Sequence, residues 1–393
     1  MDAVLRRRLQ ERQSLSRYRR RRCVASPQGR EIDVDGRCVL QFCSNDYLGL
    51  ANHPAVIDAM QQAAGRMGVG AGASHLVCGH SELHHRLEER LAEVTGRDRA
   101  LLFSTGYMAN LGTISALLGK GDHILEDRVN HASLLDAGLL SGAHFQRFQH
   151  NNLEDLDRRL GKLPESGQRL IVVDAVYSMD GDRAPLAELA ALSARHQAWL
   201  MADDAHGFGV LGERGGGSAQ ETGLDQQQLP VLMGTLGKAI GSFGAFVAGS
   251  ETLIESLIQF ARPYIYTTAM PPAVAAATLA ALGLLETEAW RRQHLNALIS
   301  RFRAGAQALN LPLMASTTAI QPLLVGDEAQ ALAISAALEE RGVLISAIRP
   351  PTVPQGTSRL RITLSAAHRD ADVDTLLAVL SEVWPEQQRG PAD

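Results

Sequence analysis

The chain has 393 residues, 45% hydrophobic and 21% charged, with 36 glycines and a formal net charge of −5. That composition excludes a wholly disordered or fibrous protein, and the negative balance argues against nucleic-acid binding by the molecule as a whole. Single cores stop growing near roughly 250–300 residues, so the length predicts two domains or one large domain with an appendage.

Nine arginines fall within Met1–Arg22, opposed by Asp2 and Glu11 alone. This pattern predicts a solvated amphipathic N-terminal helix, or a basic arm for RNA, anionic lipid or an anionic substrate. The segment lacks the apolar core of a signal peptide, and its acids and helical pattern weigh against a transit peptide. Asp35-Gly36 marks a hairpin-like piece. The four cysteines, Cys23, Cys38, Cys43 and Cys78, form no CxxC pair, which predicts a reduced, cytoplasmic protein.

From Ala100 to Ala248 short apolar runs alternate with amphipathic segments. Strands are predicted at Ala100–Phe103, His123–Leu125, Leu170–Asp174, Trp199–Ala202, Val231–Met233 and Ala245–Ala248, and helices at Tyr107–Leu118, from Ala132, and at Leu186–His196. Near-continuous apolar strands separated by helices predict a mostly parallel sheet covered on both faces. The uncharged stretch Pro263–Leu285 is long enough to span a bilayer, but its Ala, Thr and Pro content reads as a loop and a buried helix. A long helical region from about Pro272 to Leu309 precedes a smaller α/β pattern: Ile320–Val325, a helix over Ala329–Arg341, Val343–Ile348, Leu360–Leu364 and a helix over Ala371–Val383. The expected division is an arm with short strands over residues 1–50, a large domain over 51–285 and a small domain over 286–393.

In open parallel sheets, ligands bind beyond the carboxyl ends of the strands. Here those ends are polar and Gly-rich: Ser104-Thr105-Gly106-Tyr107, Tyr177-Ser178-Met179-Asp180-Gly181, Asp203-Asp204-Ala205-His206-Gly207 and Gly234-Thr235-Leu236-Gly237-Lys238. Gly106-Tyr107 opens a helix whose amides and dipole suit a phosphate, and Ser178 and Thr235 add hydroxyls. Ordinary N-cap and loop chemistry would explain each of these sites taken singly. Only three lysines occur, Lys120, Lys162 and Lys238. The first two lie in polar turns, whereas Lys238 follows an apolar strand among Gly234, Gly237 and Gly241, where a lysine can lower its pKa and form an imine. An imine-forming lysine, a strand-end carboxylate at Asp203 for a pyridinium nitrogen and a phosphate cup are together the parts a pyridoxal 5'-phosphate (PLP) enzyme needs. His131, after the His123–Leu125 strand, reads either as a helix-start residue or as a ring that covers a cofactor face and moves protons.

Other motifs compete. Gly68, Gly70 and Ala73 spell a GxGxxA variant, but they follow a helical segment rather than a strand. Cys78 with His75, His80, His84 and His85 forms a Cys/His cluster without standard zinc spacing, and a Gly-rich loop entering a helix at Ser81 is the simpler reading. Asp203 and His206 could be metal ligands of a hydrolase. No metal is expected. A binding protein using its Arg-rich arm on nucleic acid remains the rival class, and it predicts salt-sensitive affinity.

The strings SNDYLGL (Ser44–Leu50), FSTGYMAN (Phe103–Asn110), YSMDGD (Tyr177–Asp182), DDAHGFGVLGERGGGS (Asp203–Ser218) and GTLGKAIGSFGAFVAG (Gly234–Gly249) resemble the α-oxoamine synthases, in that family's order, from about Leu5 to Val383. The resemblance implies an α/β, aspartate-aminotransferase-like PLP-dependent transferase fold, with a mostly parallel central sheet in the large domain and a smaller C-terminal α/β domain. Arg262–Pro272, Ile320–Asp327 and Ile348–His368 resemble members of the family that condense L-alanine with a pimeloyl thioester, on CoA or acyl carrier protein, in biotin biosynthesis. Other members use glycine or serine with a different acyl thioester, and that is the alternative. The resemblance further implies a cytoplasmic homodimer with neither nucleic acid nor membrane as partner. In it Lys238 binds PLP as an imine, Asp203 meets the pyridinium nitrogen, His206 reaches the ring hydroxyl and His131 stacks on the ring. Gly106, Tyr107, Ser178 and Thr235 match cofactor and phosphate contacts, and Thr268 a phosphate contact from the second subunit. Arg361, two residues after Arg359, matches the arginine that grips the amino-acid carboxylate, with Asn45 nearby. Thr352 matches an acyl-substrate contact and Arg19, heading the run Arg19–Arg22, a substrate arginine of the arm. Asp174 stands where the family more often has Glu.

Overall fold

In the computed structural model, which describes residues 1–15 and 17–385, two units emerge. One comprises Met1–Gly49, Met179–Asp182 and Gln293–Asp393, the other Leu50–Ser178 and Arg183–Arg292.

The chain begins with α1 (Asp2–Ser14), a helix in which no residue is buried. Val4, Leu5 and Leu9 stay exposed, so the N-terminal helix expected from the sequence forms without burying an apolar face. Strand β1 (Glu31–Val34) then pairs antiparallel with β2 (Arg37–Gln41) through Asp35-Gly36. Both turn residues take positive φ, 53° and 79°, as a two-residue turn matched to the strand twist requires.

The second unit opens with α2 (Pro54–Met67), a π turn at His75–Gly79 and α3 (Glu82–Thr95). Its elements then run β3 (Arg99–Phe103), α4 (Gly106–Leu117), β4 (His123–Asp127), α5 (Ala132–Leu140), β5 (His144–Phe148), α6 (Leu153–Leu160), β6 (Arg169–Asp174), α7 (Leu186–Arg195), β7 (Trp199–Asp203), α8 (Ser218–Thr222), β8 (Val231–Thr235), β9 (Ala245–Gly249), α9 (Glu251–Phe260), α10 (Arg262–Ile265) and α11 (Pro272–Thr287). Seven strands make one sheet in the order β3-β9-β8-β7-β6-β4-β5. Strands β5, β4, β6, β7 and β8 are parallel, whereas β9 runs antiparallel to both β8 and β3.

Side chains alternate across a strand, and here both faces are buried. Leu170 and Val172 of β6 join Ile124, Met201 and Met233 under Ile114, Leu134 and Leu257 of the helices on one face. Ile171 and Val173 join Leu125, Leu200 and Leu232 under Leu156, Leu189 and Leu192 on the other. Each such side chain contributes roughly 1.5–3 kcal/mol relative to exposure, and double coverage is why the strands read as unbroken apolar runs. The uncharged stretch Pro263–Leu285 forms α10, a loop and α11, whose Ala275, Ala281, Leu282 and Leu285 are buried. Among the described residues no single helix is long and apolar enough to cross a membrane.

The helical region expected from Pro272 to Leu309 is two helices. Helix α11 stops at Glu288, whose φ and ψ of −121° and 48° leave the helical region, and α12 (Trp290–Ala308) starts afresh. The first unit then adds β10 (Ile320–Gly326), α13 (Glu328–Glu340), β11 (Val343–Leu344), β12 (Ser346–Ile348), β13 (Ser358–Thr363) and α14 (Asp370–Val383). Its two small sheets have the orders β1-β2-β11 and β10-β13-β12. The predicted strand Val343–Ile348 is therefore two short strands that serve different sheets.

Candidate active site

Five elements of the second unit end around one cavity of ≈ 200 Å³, lined by Gly106, Tyr107, Asn110, His131, Ser133, Asp174, Ser178, Asp203, Ala205, His206, Met233, Thr235 and Lys238. The parallel strands β4, β6, β7 and β8 all point their carboxyl ends the same way, so the residues after each arrive together.

Asp203 is the last residue of β7 and is buried. Its Oδ1 accepts the Ala205 amide at 3.0 Å, and its Oδ2 accepts Asn110 Nδ2 at 2.7 Å. Asn110 is fully buried on α4 and also donates to Ser133 Oγ at 2.9 Å. Ser133 Oγ in turn lies 2.7 Å from His131 Nδ1, and the Ser133 backbone N–H points at the same nitrogen from 3.3 Å. A backbone N–H can only donate, so Nδ1 carries the lone pair and Nε2 the proton. Burial lowers the His131 pKa, and Lys238 lowers it further against the opposing pull of Asp203. His131 is thus a neutral imidazole of defined tautomer, and it also caps α5. The Asn110–Ser133 link escaped sequence reading: Asn110 stands inside the quoted string FSTGYMAN, but only the fold shows that its helix faces β7.

Lys238 lies in the β8–β9 connection. Its Nζ is 2.8 Å from His206 Nε2. The turn closes at Gly241, with φ of +67° and Ala51 N 2.4 Å from where a Cβ would stand, so only glycine fits. His206 is carried by the loop after β7, which Asp204 anchors by accepting the Ser218 amide at 2.7 Å and the Ser218 hydroxyl at 2.6 Å. Burial pushes Asp204 up to about 7.

Asp174 ends β6 as the Cα partner of Asp203. Its Oδ2 accepts the His131 backbone N–H at 2.8 Å. Burial first, and then the adjacent Asp203 charge, push its carboxyl well above the usual carboxylate range. The sequence assigned this residue no function, yet it sits in the cavity wall.

At the other end of the cavity lies the first turn of α4. Thr105 caps it by accepting the Met108 amide at 3.2 Å, and the first-turn amides have no partner within the helix. Tyr107 bonds Asp136 through its hydroxyl. Thr235 Oγ1 donates to Gly244 O at 3.1 Å, so toward a ligand it presents a lone pair unless it rotates. A Cβ at Gly106 would stand 2.8 Å from Met233 Cε, the flexible end of another side chain in the same cavity wall. An amine, a buried carboxylate, an imidazole and a helix N-terminus with two hydroxyls in one cavity match the donor set that PLP requires.

In the first unit, Arg361 of β13 directs both terminal nitrogens at Asn45 Oδ1, each 3.3 Å away, and Tyr47 donates to the same oxygen at 3.2 Å. Arg359, on the same strand face, is instead committed to Asp180 and to Thr357 O, the latter at 3.0 Å. Arg19 and Thr352 are exposed, and Thr268 is exposed on a segment bridged to Ser74. Thr268 is not among the residues lining the cavity.

The family model for aminotransferase class I and II matches residues 37–380. An 8-amino-7-oxononanoate synthase of Cellvibrio japonicus is 66% identical over 394 residues, covering 100% of this chain and 99% of that protein. An enzyme of the same name from Stutzerimonas stutzeri is 64% identical, covering 96% of each. Among solved structures, a serine palmitoyltransferase from S. paucimobilis with a bound PLP–myriocin adduct superposes with a TM-score of 0.92 at 32% identity, covering 97% of this chain and 96% of that one.

Proposed function

The chain belongs to the class I and II aminotransferase family and, within it, to the 8-amino-7-oxononanoate synthases, and from that premise we propose that it condenses L-alanine with a pimeloyl thioester. Carbon dioxide and the free thiol leave, and 8-amino-7-oxononanoate enters biotin biosynthesis. The cofactor is PLP. The acyl carrier is CoA or acyl carrier protein. The observation that carries this reading is the Lys238 amine, 2.8 Å from His206 Nε2, in the cavity that Asp203 and His131 also line.

Bound PLP supplies an electron-withdrawing ring that acidifies the α-hydrogen of an attached amino acid. The protein does the rest. Lys238 holds the cofactor at rest, and its amine takes and returns the α-proton. Asp203, its orientation fixed by Asn110, would face the ring nitrogen. His206 would meet the ring hydroxyl. His131 would cover the ring and present Nε2–H as a proton donor to oxygen on the acyl carbon. Gly106, Tyr107, Ser178 and Thr235 would hold the phosphate end, completed by Thr268 from a second subunit of a homodimer. The Arg361 guanidinium, oriented by Asn45, grips the alanine carboxylate, and Arg19 and Thr352 contact the acyl substrate. Residues 51–285 act as the cofactor domain and 286–393 as the small domain, with 1–50 as an arm, in a cytoplasmic enzyme.

Titration of the PLP-loaded protein with L-alanine, glycine and L-serine, followed in the visible spectrum, tests the reading. L-Alanine is expected to shift the cofactor band at the lowest concentration. A stronger response to serine or glycine would overturn the substrate assignment, and failure to take up PLP would overturn the whole.

A further inference from the structure

A second cluster of chemistry-bearing side chains lies in the same unit and shares no residue with the cavity described above. The π turn at His75–Gly79 delivers His80 to the start of α3, and α3 itself carries His84, His85 and Glu88. His85 and Glu88 are three residues apart and share one helix face. We propose that His80, His85 and Glu88 bind one divalent transition-metal ion of the zinc class, with the open coordination positions filled by water.

The geometry assigns each atom. One ligand atom from each of the three side chains lies within 4.8 Å of the others. His80 Nε2 stands 4.0 Å from Glu88 Oε2, too long for a hydrogen bond and a few tenths of an ångström beyond the roughly 3.3–3.6 Å spanned by two ligands of a tetrahedral ion, so a small side-chain shift brings both onto one ion. The remaining polar atoms are already engaged in ways that aim the ligands. Glu88 Oε1 accepts the Leu102 amide at 3.0 Å, which leaves Oε2 for the ion. His80 Nδ1 is 2.9 Å from His75 Nδ1. With His75 as the acceptor, His80 keeps its proton on Nδ1 and presents a lone pair at Nε2, the outer-shell arrangement usual for a metal-binding histidine.

His84 belongs to the support rather than the ligands. Its Nδ1 accepts the Ser81 amide at 3.0 Å, and its Nε2 donates to Met270 O at 2.7 Å. His85 is exposed and pairs with the equally exposed Glu89 at 3.3 Å, so it can swing to the ion at little cost. The adjoining cavity of ≈ 80 Å³ is lined by His85, Glu88, Glu89, Asp98 and Arg99, among others. Glu88, Glu89 and Asp98 share that lining with Arg99, which also lies 4.0 and 3.4 Å from Glu251 and Glu255. Two imidazoles and a carboxylate select a zinc-class metal over magnesium or calcium, which prefer all-oxygen sites.

An ion here would clamp the loop before α3 to the helix. That loop continues from Ala73 and Ser74, which pair with Thr268 and Ala269. The proposal is independent of the reaction assigned above.

The test uses the full-length, PLP-loaded protein with Zn²⁺ and Co²⁺. Calorimetry is expected to find one Zn²⁺ per chain, Co²⁺ to give d–d bands that Zn²⁺ abolishes, and Zn²⁺ to raise the Tm. His85→Ala removes an exposed side chain and leaves folding intact, so it should weaken binding at least about tenfold and shrink the Tm shift. Glu88→Gln should do the same, whereas Cys78→Ala should bind as wild type. Weak binding at several sites, full affinity in His85→Ala, or loss of binding in Cys78→Ala would each overturn the proposal.

Discussion

Asp174 and His131 are joined through the backbone: the His131 N–H donates to Asp174 Oδ2 at 2.8 Å, while Asp174 lies beside Asp203 as its Cα partner in the parallel ladder. Burial and the Asp203 charge keep the Asp174 carboxyl protonated far above the usual range. A neutral acid that only accepts a backbone N–H has a close isostere in asparagine. Asp174→Asn should keep kcat within about threefold of wild type. Asp174→Ala leaves the His131 amide unpaired, costing about 1–3 kcal/mol, or roughly ten- to a hundredfold in kcat where His131 is displaced. Equal losses in the two variants would show that Asp174 acts as an anion.

Asn110 ties Asp203, proposed above to face the ring nitrogen, to the Ser133 hydroxyl beside His131, proposed to cover the ring, through Asp203 Oδ2 at 2.7 Å and Ser133 Oγ at 2.9 Å. Removing it leaves a buried carboxylate short of one donor. Asn110→Ala should slow exchange of the alanine α-proton about ten- to a hundredfold, with a smaller effect on PLP affinity, while Asn110→Asp should be worse because it sets a second acid against Asp203. Proton exchange followed by NMR separates this from a merely structural loss, which would lower PLP occupancy and Tm together.

The pair Lys238–His206 makes a sharper prediction. Lys238→Ala removes the only amine among the residues lining the cavity and should abolish turnover while the Tm stays near wild type, because the side chain is half-exposed and lies outside the apolar core. The variant should also lose the imine absorbance of the PLP-loaded protein. Measurable turnover in Lys238→Ala would remove the lysine from the reaction.

Much of this site was legible because its residues come directly after apolar runs. The strands β6, β7 and β8 announce themselves, and the residues just beyond them must meet at one end of a parallel sheet. Other features were hidden for physical reasons. Strand β5 lies at the sheet edge with only Phe148 buried, so it offers no apolar run. The direction of β9 depends on the tight Lys238–Gly244 connection rather than on composition. The break at Glu288 is a backbone event inside a pattern that stays helical on both sides. Arg359 and Arg361 fall two apart on one strand face and look equivalent in sequence. Only Asp180 beside one and Asn45 beside the other separate them.

That separation is testable. Arg361→Lys loses the planar fork that Asn45 orients and should raise the KM for L-alanine about tenfold or more with a smaller change in kcat. Arg359→Lys weakens a contact to Asp180 and should lower Tm with the KM for L-alanine near wild type. The reverse pattern would assign the carboxylate to Arg359.

Glu126 offers a test of stability rather than turnover. It is fully buried on β4, with Asn130 Nδ2 at 3.3 Å and no partner for Oε1 among the described residues. Burial pushes its pKa up to about 7, against 4.5 for the free side chain. A carboxyl whose folded pKa is raised gives its full contribution below the unfolded value and loses it as pH climbs through the folded one, so Glu126 weakens the fold between about pH 4.5 and 7. A shift of that size is worth about 3 kcal/mol at most. Glu126→Gln cannot ionise. Its Tm relative to wild type should therefore rise steadily from about pH 5 to about pH 8, as followed by circular dichroism at constant ionic strength. A difference that stays flat across that range would mean that Glu126 ionises as easily inside the fold as in water.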